Sequence, residues 1–247
     1  MVKKIFVTTF NYSLFEKYAY KLIDSFIKTE QYFPLYCYVE DDVEIYPKNK
    51  NIVYLNLYKE QPLCFKFVER NKQKSQINSK ISYLLDSVKF SYKVFAQSDA
   101  RKYSQQFFYI DADTEFLKKI PYDWFNECLP QDTLLSIYDR IGYYTEAGFI
   151  GFSNIPLNNK NQKLLDIFFN QYTNYYVYDL IYSLPAFTDC HALDATRTRF
   201  MLLKNYTEEH SNYKEKILGN WSKKQDLDVM HHDDFINKYI KHRKGNK

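Results

Sequence analysis

The apolar pattern opens with Ile5 to Thr9, a short run rich in β-branched and aromatic residues that predicts a first strand. Ser13 and Glu16 then stand at capping-box spacing. After them Phe15, Tyr18, Ala19, Leu22, Ile23, Phe26 and Ile27 recur in steps of three and four, the stripe of a helix. A second apolar run, Leu35 to Val39, follows Pro34 and ends at Glu40-Asp41-Asp42. Strand, helix and strand with short joints make a βαβ unit, so the sheet starts parallel. Ile52 to Leu57 predicts a third strand, residues 59–80 a polar and irregular stretch, and Ile81 to Tyr103 one or two helices. Phe107 to Ile110 is a compact apolar strand running into Asp111. Thr133 to Tyr138 and Ala147 to Phe152 predict further strands, and Leu164, Leu165, Phe168, Phe169 and Tyr172 stripe a later helix. Beyond Tyr182 the pattern weakens until Lys238 to His242, a last short strand.

No repeat or low-complexity linker interrupts the 247 residues. The expectation is one α/β domain with a mainly parallel, mixed, Rossmann-like central sheet flanked by helices. Residues 1 to about 113 form its nucleotide-binding half and about 114 to 247 its acceptor half. With 45% hydrophobic residues and only 5 Gly and 7 Pro, the chain can bury a sizeable core and is not linker-rich. The 25 Tyr and 20 Phe suit half-buried strands and ring-stacking clefts, and equally fit a general compositional bias. A net charge of +4 is mild for a dedicated nucleic-acid binder. Cys37, Cys64, Cys128 and Cys190 are widely spaced without a CxxC pair, which reads as free thiols in a reducing cytosol. No apolar run approaches the roughly 18 residues of a membrane helix. The first ten residues lack a signal peptide's apolar region, so the expected location is cytoplasmic.

Chemistry concentrates where the Phe107–Ile110 strand ends in Asp111-Ala112-Asp113. Open α/β sheets bind ligands outside the carboxyl ends of their strands. Residues i and i+2 of a strand share a side, so both carboxylates can aim at one ion. Two hard oxygen ligands suit Mg²⁺ or Mn²⁺ bridging a diphosphate, and the small Ala112 leaves room for its approach. Two turn-forming aspartates after a strand would give the same triplet.

With these residues the chain resembles the GT-A glycosyltransferases, most closely the retaining, glycogenin- and galactosyltransferase-like family with its DxD motif. The resemblance covers most of the chain in order, loosely outside the DxD. It implies that Thr8, Thr9 and Asn11-Tyr12 touch nucleobase and ribose, and that Lys93, in Phe90-Ser91-Tyr92-Lys93, pairs with the sugar diphosphate. Thr145-Glu146-Ala147-Gly148 resembles the family's N-x-G segment, with Glu146 in the place of Asn. Phe187 to Asp194 resembles an Asp-containing segment beside the transferred sugar and the acceptor. His242-Arg243-Lys244-Gly245 resembles H-x-x-G-x-x-K, with the final lysine one place early. That makes His242 the third metal ligand, and places Lys244 and Gly245 on phosphate. His231 and His232, ahead of two aspartates, are rival ligands, and a flexible basic tail is the plain alternative for His242.

The resemblance implies a transferase that moves a hexose or pentose from a nucleoside diphosphate sugar, a UDP-sugar by expectation. Donor contacts are Thr8, Thr9, Tyr12, Lys93, Asp111, Ala112, Asp113, Gly148, Lys244 and Gly245. The metal, Mn²⁺ or Mg²⁺, falls to Asp111, Asp113 and His242. Asp189 and Glu146 are the candidate catalytic carboxylates: an inverting enzyme needs such a base, a retaining one does not, and the family leans to retention. Asp194, Glu40, Asp41 and Asp42 can contact sugar, ribose or base, or cap turns. The acceptor stays open among glycan, lipid-linked sugar, protein and modified nucleobase. Two other readings are an inactive sugar-nucleotide-binding relative and a nucleotidyltransferase. The absence of glycine in Thr8-Thr9-Phe10-Asn11-Tyr12 disfavours the last, which needs a phosphate loop there.

Overall fold

The computed structural model describes residues 3–140, 142–154, 163–221, 236 and 238–242. Strand β1 (Lys4–Phe10) sends Ile5 and Val7 to one face and Phe6 and Phe10 to the other. The same parity holds in β2 (Leu35–Val39) and β4 (Gln106–Ile110): Tyr36, Tyr38, Phe107 and Tyr109 join Ile5, while Leu35, Cys37, Phe108 and Ile110 join Phe6. Both faces are therefore buried, as a parallel sheet requires. With β3 (Ile52–Asn56), β6 (Leu135–Arg140), β7 (Glu146–Ser153) and β8 (Glu215–Trp221), these strands form a seven-stranded sheet in the order β3-β2-β1-β4-β7-β6-β8. Strand β7 runs antiparallel to both neighbours and the other pairings are parallel, which is the mixed, mainly parallel α/β sheet expected. The chain steps outward from β1 to β3, then crosses back to place β4 on the other side of β1. That reversal leaves a crevice at the carboxyl ends of β1 and β4.

Helices α4 (Pro62–Ile81), α5 (Ser87–Ala100), α7 (Leu164–Val177) and α8 (Asp189–Leu203) bury their apolar sides against the Ile5 face. Against the Phe6 face pack α2 (Tyr20–Lys28), α6 (Trp124–Cys128) and a small antiparallel sheet of β5 (Thr114–Phe116) and β9 (Ile240–His242). Trp124, fully buried, lies 4.9 Å from Phe108 and 6.1 Å from Phe6 between ring centroids.

Three sequence expectations change. The helix after β1 is capped two residues before Ser13: Asn11 is the cap, its side-chain oxygen accepting from the Leu14 N–H at 3.0 Å. It runs through a short α1 (Tyr12–Leu14) and a π turn, Phe15–Ala19, into α2. Residues 59–80 are mostly helical, in α3 (Leu57–Glu60) and α4. The buried side of α4 is Cys64, Phe67, Val68, Asn71 and Ser75, and its last two positions are polar, which hides the stripe. Their burial is offset by bonding: Asn71 donates to Asp179 and accepts from Tyr182, and Ser75 donates to Asp86. Helix α8 escapes a hydrophobic reading for the same reason, since it buries Asp189, Thr196 and Arg197. No described helix is long and apolar enough to cross a membrane. All four cysteines are free.

Candidate metal and nucleotide site

The pleat decides which residues face the crevice. Val7 stands in register with Tyr36 on one side and Tyr109 on the other. Two residues further along, the same face carries Thr9, Tyr38 and Asp111, and β2 continues to Glu40. Thr9, Glu40 and Asp111, from three adjacent strands, accordingly line one cleft of about 940 Å³, with Asn11, Tyr58, Tyr92, Lys93, Ala112 and Asp113. Thr8 has the opposite parity and is fully buried on the Phe6 face, away from the cleft. Thr9 reaches the cleft with its hydroxyl donating to the Tyr38 carbonyl at 2.8 Å. Tyr12 is exposed on the outer side, its ring 6.1 Å from Phe15, and its N–H donates to Asp41.

Asp111 leaves the strand at once. Its N–H donates to the Gly148 carbonyl at 2.8 Å, and its own carbonyl accepts from the Thr114 N–H at 3.0 Å. Asp111 and Asp113 thus converge through a turn, not through strand alternation as the sequence suggested. Thr114 starts β5, and β5 pairs with β9 in the register Thr114↔His242. That ladder delivers the imidazole: His242 Nε2 is 2.9 Å from Asp113 Oδ1 and 3.6 Å from Asp111 Oδ2. Ligand atoms of Asp111, Asp113 and His242 all lie within 4.8 Å of one another. Two carboxylate oxygens and one imidazole nitrogen are a donor set that could hold a divalent metal ion.

Lys93, on the cleft side of α5, contacts Asp111 Oδ1 at 2.7 Å and Asp189 Oδ2 at 3.0 Å. Burial opposes its charge, but the Asp111 and Asp189 carboxylates outweigh it and hold the ammonium well above the usual lysine value. Lys93 therefore stays charged and fixes one oxygen of Asp111, leaving the other toward His242. Asp189 is buried at the first turn of α8. Gly148 sits directly behind Asp111. Glu146 accepts from the Gly148 N–H at 2.7 Å and pairs with Arg140 at the end of β6. Tyr18 lines the cleft floor; burial first, then Asp113 and Asp111, raise its hydroxyl above the ordinary tyrosine value.

Other sequence candidates are occupied elsewhere. Asp194 accepts from Arg197 within α8 at 2.9 Å and from the N–H of Thr145, the residue before β7, at 3.0 Å. Arg101 pairs with Asp166 at 2.9 Å. His191 hydrogen-bonds Thr188 and packs 4.7 Å from the Tyr144 ring. Asp42 caps the turn at Val43–Ile45, and Asp41 accepts from Tyr12 and Tyr46. Lys244, Gly245, His231 and His232 lie outside the described residues. The sequence did not single out Arg140, although it closes a buried strand at the same end of the sheet; nor did it mark Tyr58 and Tyr92, which line the cleft and whose hydroxyls meet at 3.2 Å.

No protein-family model matches the chain, and no curated protein does. Among solved structures it is similar to mouse xyloside xylosyltransferase 1 in its apo form, at 12% identity and a TM-score of 0.48, with 88% of this chain and 85% of that one covered.

Proposed function

We propose that the protein is a metal-dependent glycosyltransferase that moves a sugar from a nucleoside diphosphate sugar, a UDP-sugar, to an acceptor. One observation carries this: Asp111, Asp113 and His242 converge beside Lys93 at the carboxyl end of β4, where the sheet reverses. Carboxylates and a cation side by side at that position suit a metal diphosphate better than either would suit a neutral ligand.

Asp111, Asp113 and His242 would hold Mn²⁺ or Mg²⁺, which when bound acts as a Lewis acid on the departing diphosphate. Lys93 orients Asp111 and adds positive charge where the leaving group becomes more negative. Ala112 keeps the approach open. Thr9 and Asn11 face the nucleoside end of the cleft, and the aromatic wall of Tyr58 and Tyr92 gives a base a surface to stack on. In the same reading Lys244 and Gly245 contact phosphate. Asp189 borders the transferred sugar, and Glu146 positions the Asp111 loop through Gly148. Lys93 engages Asp189 and Arg140 engages Glu146, so neither carboxylate stands open to an acceptor hydroxyl. That supports transfer with retention, in which the leaving diphosphate can itself take the acceptor's proton.

The test is calorimetry of UDP with and without MnCl₂ on the wild type and Asp111→Asn, joined to a donor screen for released UDP. Expected are metal-dependent UDP binding, its loss in the variant, and slow UDP release from at least one donor. Equal UDP affinity with and without metal in the wild type would overturn the reading.

A further inference from the structure

Helix α4 has a second side that the cleft does not use. Leu63, Lys66, Arg70, Lys74, Ile77 and Ile81 are spaced by three, four, four, three and four residues, so they form one stripe down the helix. All six are exposed, roughly a third of a turn around the helix from the buried Cys64, Phe67, Val68, Asn71 and Ser75. An exposed helical stripe in a folded domain is ordinarily polar, because apolar groups there gain nothing from water. Here Ile77 is 56% exposed, Ile81 77% and Leu63 48%.

The stripe continues onto its neighbours. Arg70 clamps Asp179 through two hydrogen bonds, at 2.9 and 3.0 Å, and Asp179 sits in the left-handed backbone region at φ 58°. The clamp holds Tyr178, 67% exposed, and Leu180 beside α4. Past the end of α4, Tyr83 is 62% exposed, with the Lys89 ammonium 5.7 Å from its ring centre. Around these apolar groups stand Lys66, Lys74, Lys80 and Lys89, all exposed, against Glu69 as the acidic residue of α4. Aliphatic side chains, tyrosines and a ring of lysines on one surface match a membrane interface. There the apolar groups enter the acyl boundary, tyrosines sit at headgroup depth and lysines meet anionic lipid.

We propose that this α4 face docks the protein peripherally on an anionic lipid bilayer. Charge complementarity selects that occupant: lysines interleaved with isoleucines are matched by phosphate headgroups above acyl chains. A nucleic acid would leave the isoleucines in water, and a second copy of this chain would bring lysines against lysines. At its Tyr83 end the face comes near the cleft, which Lys89 lines. The proposal is independent of the transfer chemistry.

The test is sedimentation of the full chain with vesicles of phosphatidylcholine alone and of phosphatidylcholine mixed with phosphatidylglycerol. Expected is co-sedimentation with the anionic vesicles at low salt that weakens as salt rises. Ile77→Glu/Ile81→Glu should bind at least about tenfold more weakly, and each of Lys66→Gln and Lys80→Gln about fivefold. Thermal unfolding of the same variants, with an unchanged midpoint, shows that the loss is not misfolding. No sedimentation with anionic vesicles at low salt overturns the proposal, as does wild-type binding by Ile77→Glu/Ile81→Glu. A dimer in solution that the isoleucine variant dissociates, without vesicle binding, assigns the face to self-association instead. Oligonucleotide binding that survives the isoleucine variant, again without vesicle binding, assigns it to nucleic acid.

Discussion

A Cβ on Gly148 would overlap Oδ2 of Asp111 and lie 2.8 Å from Glu146 Oε1. The glycine is thus the space into which the candidate ligand carboxylate fits. Gly148→Ala must displace Asp111 or the β7 backbone. Overpacking of this kind costs about 1–3 kcal/mol, which the fold tolerates. The site has less latitude, because orienting partners of metal ligands are worth about 10–100-fold in affinity. The expected result is a folded protein whose Mn²⁺ titration, followed by UDP binding, shifts at least about tenfold to higher metal. An unchanged titration would mean that Asp111 does not bind through the oxygen beside Gly148.

Lys93 holds two carboxylates at once, and one of them, Asp189, is 1% exposed. Removing the cation leaves a buried charge without its partner, which costs about 3–5 kcal/mol. Lys93→Met should therefore lower the urea midpoint strongly, and Lys93→Met/Asp189→Asn should recover much of the loss. Activity should stay low in both, since the ammonium serves Asp111 as well. A double variant as unstable as the single one would show that Lys93 stabilises the fold through α5 packing alone.

Glu40 gives the cleft a pH dependence of known sign. Burial first, then the charge of Asp41, raise its carboxyl from 4.5 to about 7, against hydrogen bonds from Asn11 and Tyr92 that favour the charged form. The folded chain keeps a proton there that the unfolded chain loses. The stabilising contribution is fully present below about pH 4.5 and disappears as pH rises through about 7. Glu40→Gln keeps the neutral shape at every pH. Relative to wild type it should unfold some 2–4 °C higher at about pH 8, for a difference on the order of 1 kcal/mol, and within error at about pH 5. Parallel melting curves at both values would refute the assignment.

Where burial and hydrophobicity coincide, the sequence could be read. Phe107 to Ile110 is buried on both faces and ends in the candidate ligands, so strand and site announce each other. The βαβ opening was legible for the same reason. Helix α4 was not, because Asn71 and Ser75 are buried polar groups satisfied by Asp179, Tyr182 and Asp86, partners remote in sequence from Asn71. Nor was the route by which His242 arrives. Strand β5 has three residues, too few for a periodicity, and its partner lies more than a hundred positions later. The DxD convergence was anticipated with the wrong geometry, a strand where the backbone makes a turn closed by Thr114.

The late arrival of His242 makes it the sharpest test of the site. Its backbone completes the β5–β9 ladder whatever the side chain, so His242→Ala removes the imidazole and leaves the pairing opposite Thr114. Asp113 Oδ1 then loses the nitrogen 2.9 Å away, and two carboxylates face any metal without a third protein ligand. Mn²⁺ affinity should fall at least as far as it does when an orienting partner is lost, about 10–100-fold, while metal-free UDP binding stays as it was. His242→Gln, which restores a hydrogen-bond donor but not an imidazole ligand, should recover stability and not metal affinity. Calorimetric Mn²⁺ titration in the presence of UDP reads both variants. Wild-type affinity in His242→Ala, together with loss in His231→Ala or His232→Ala, would move the third ligand to the earlier histidine pair.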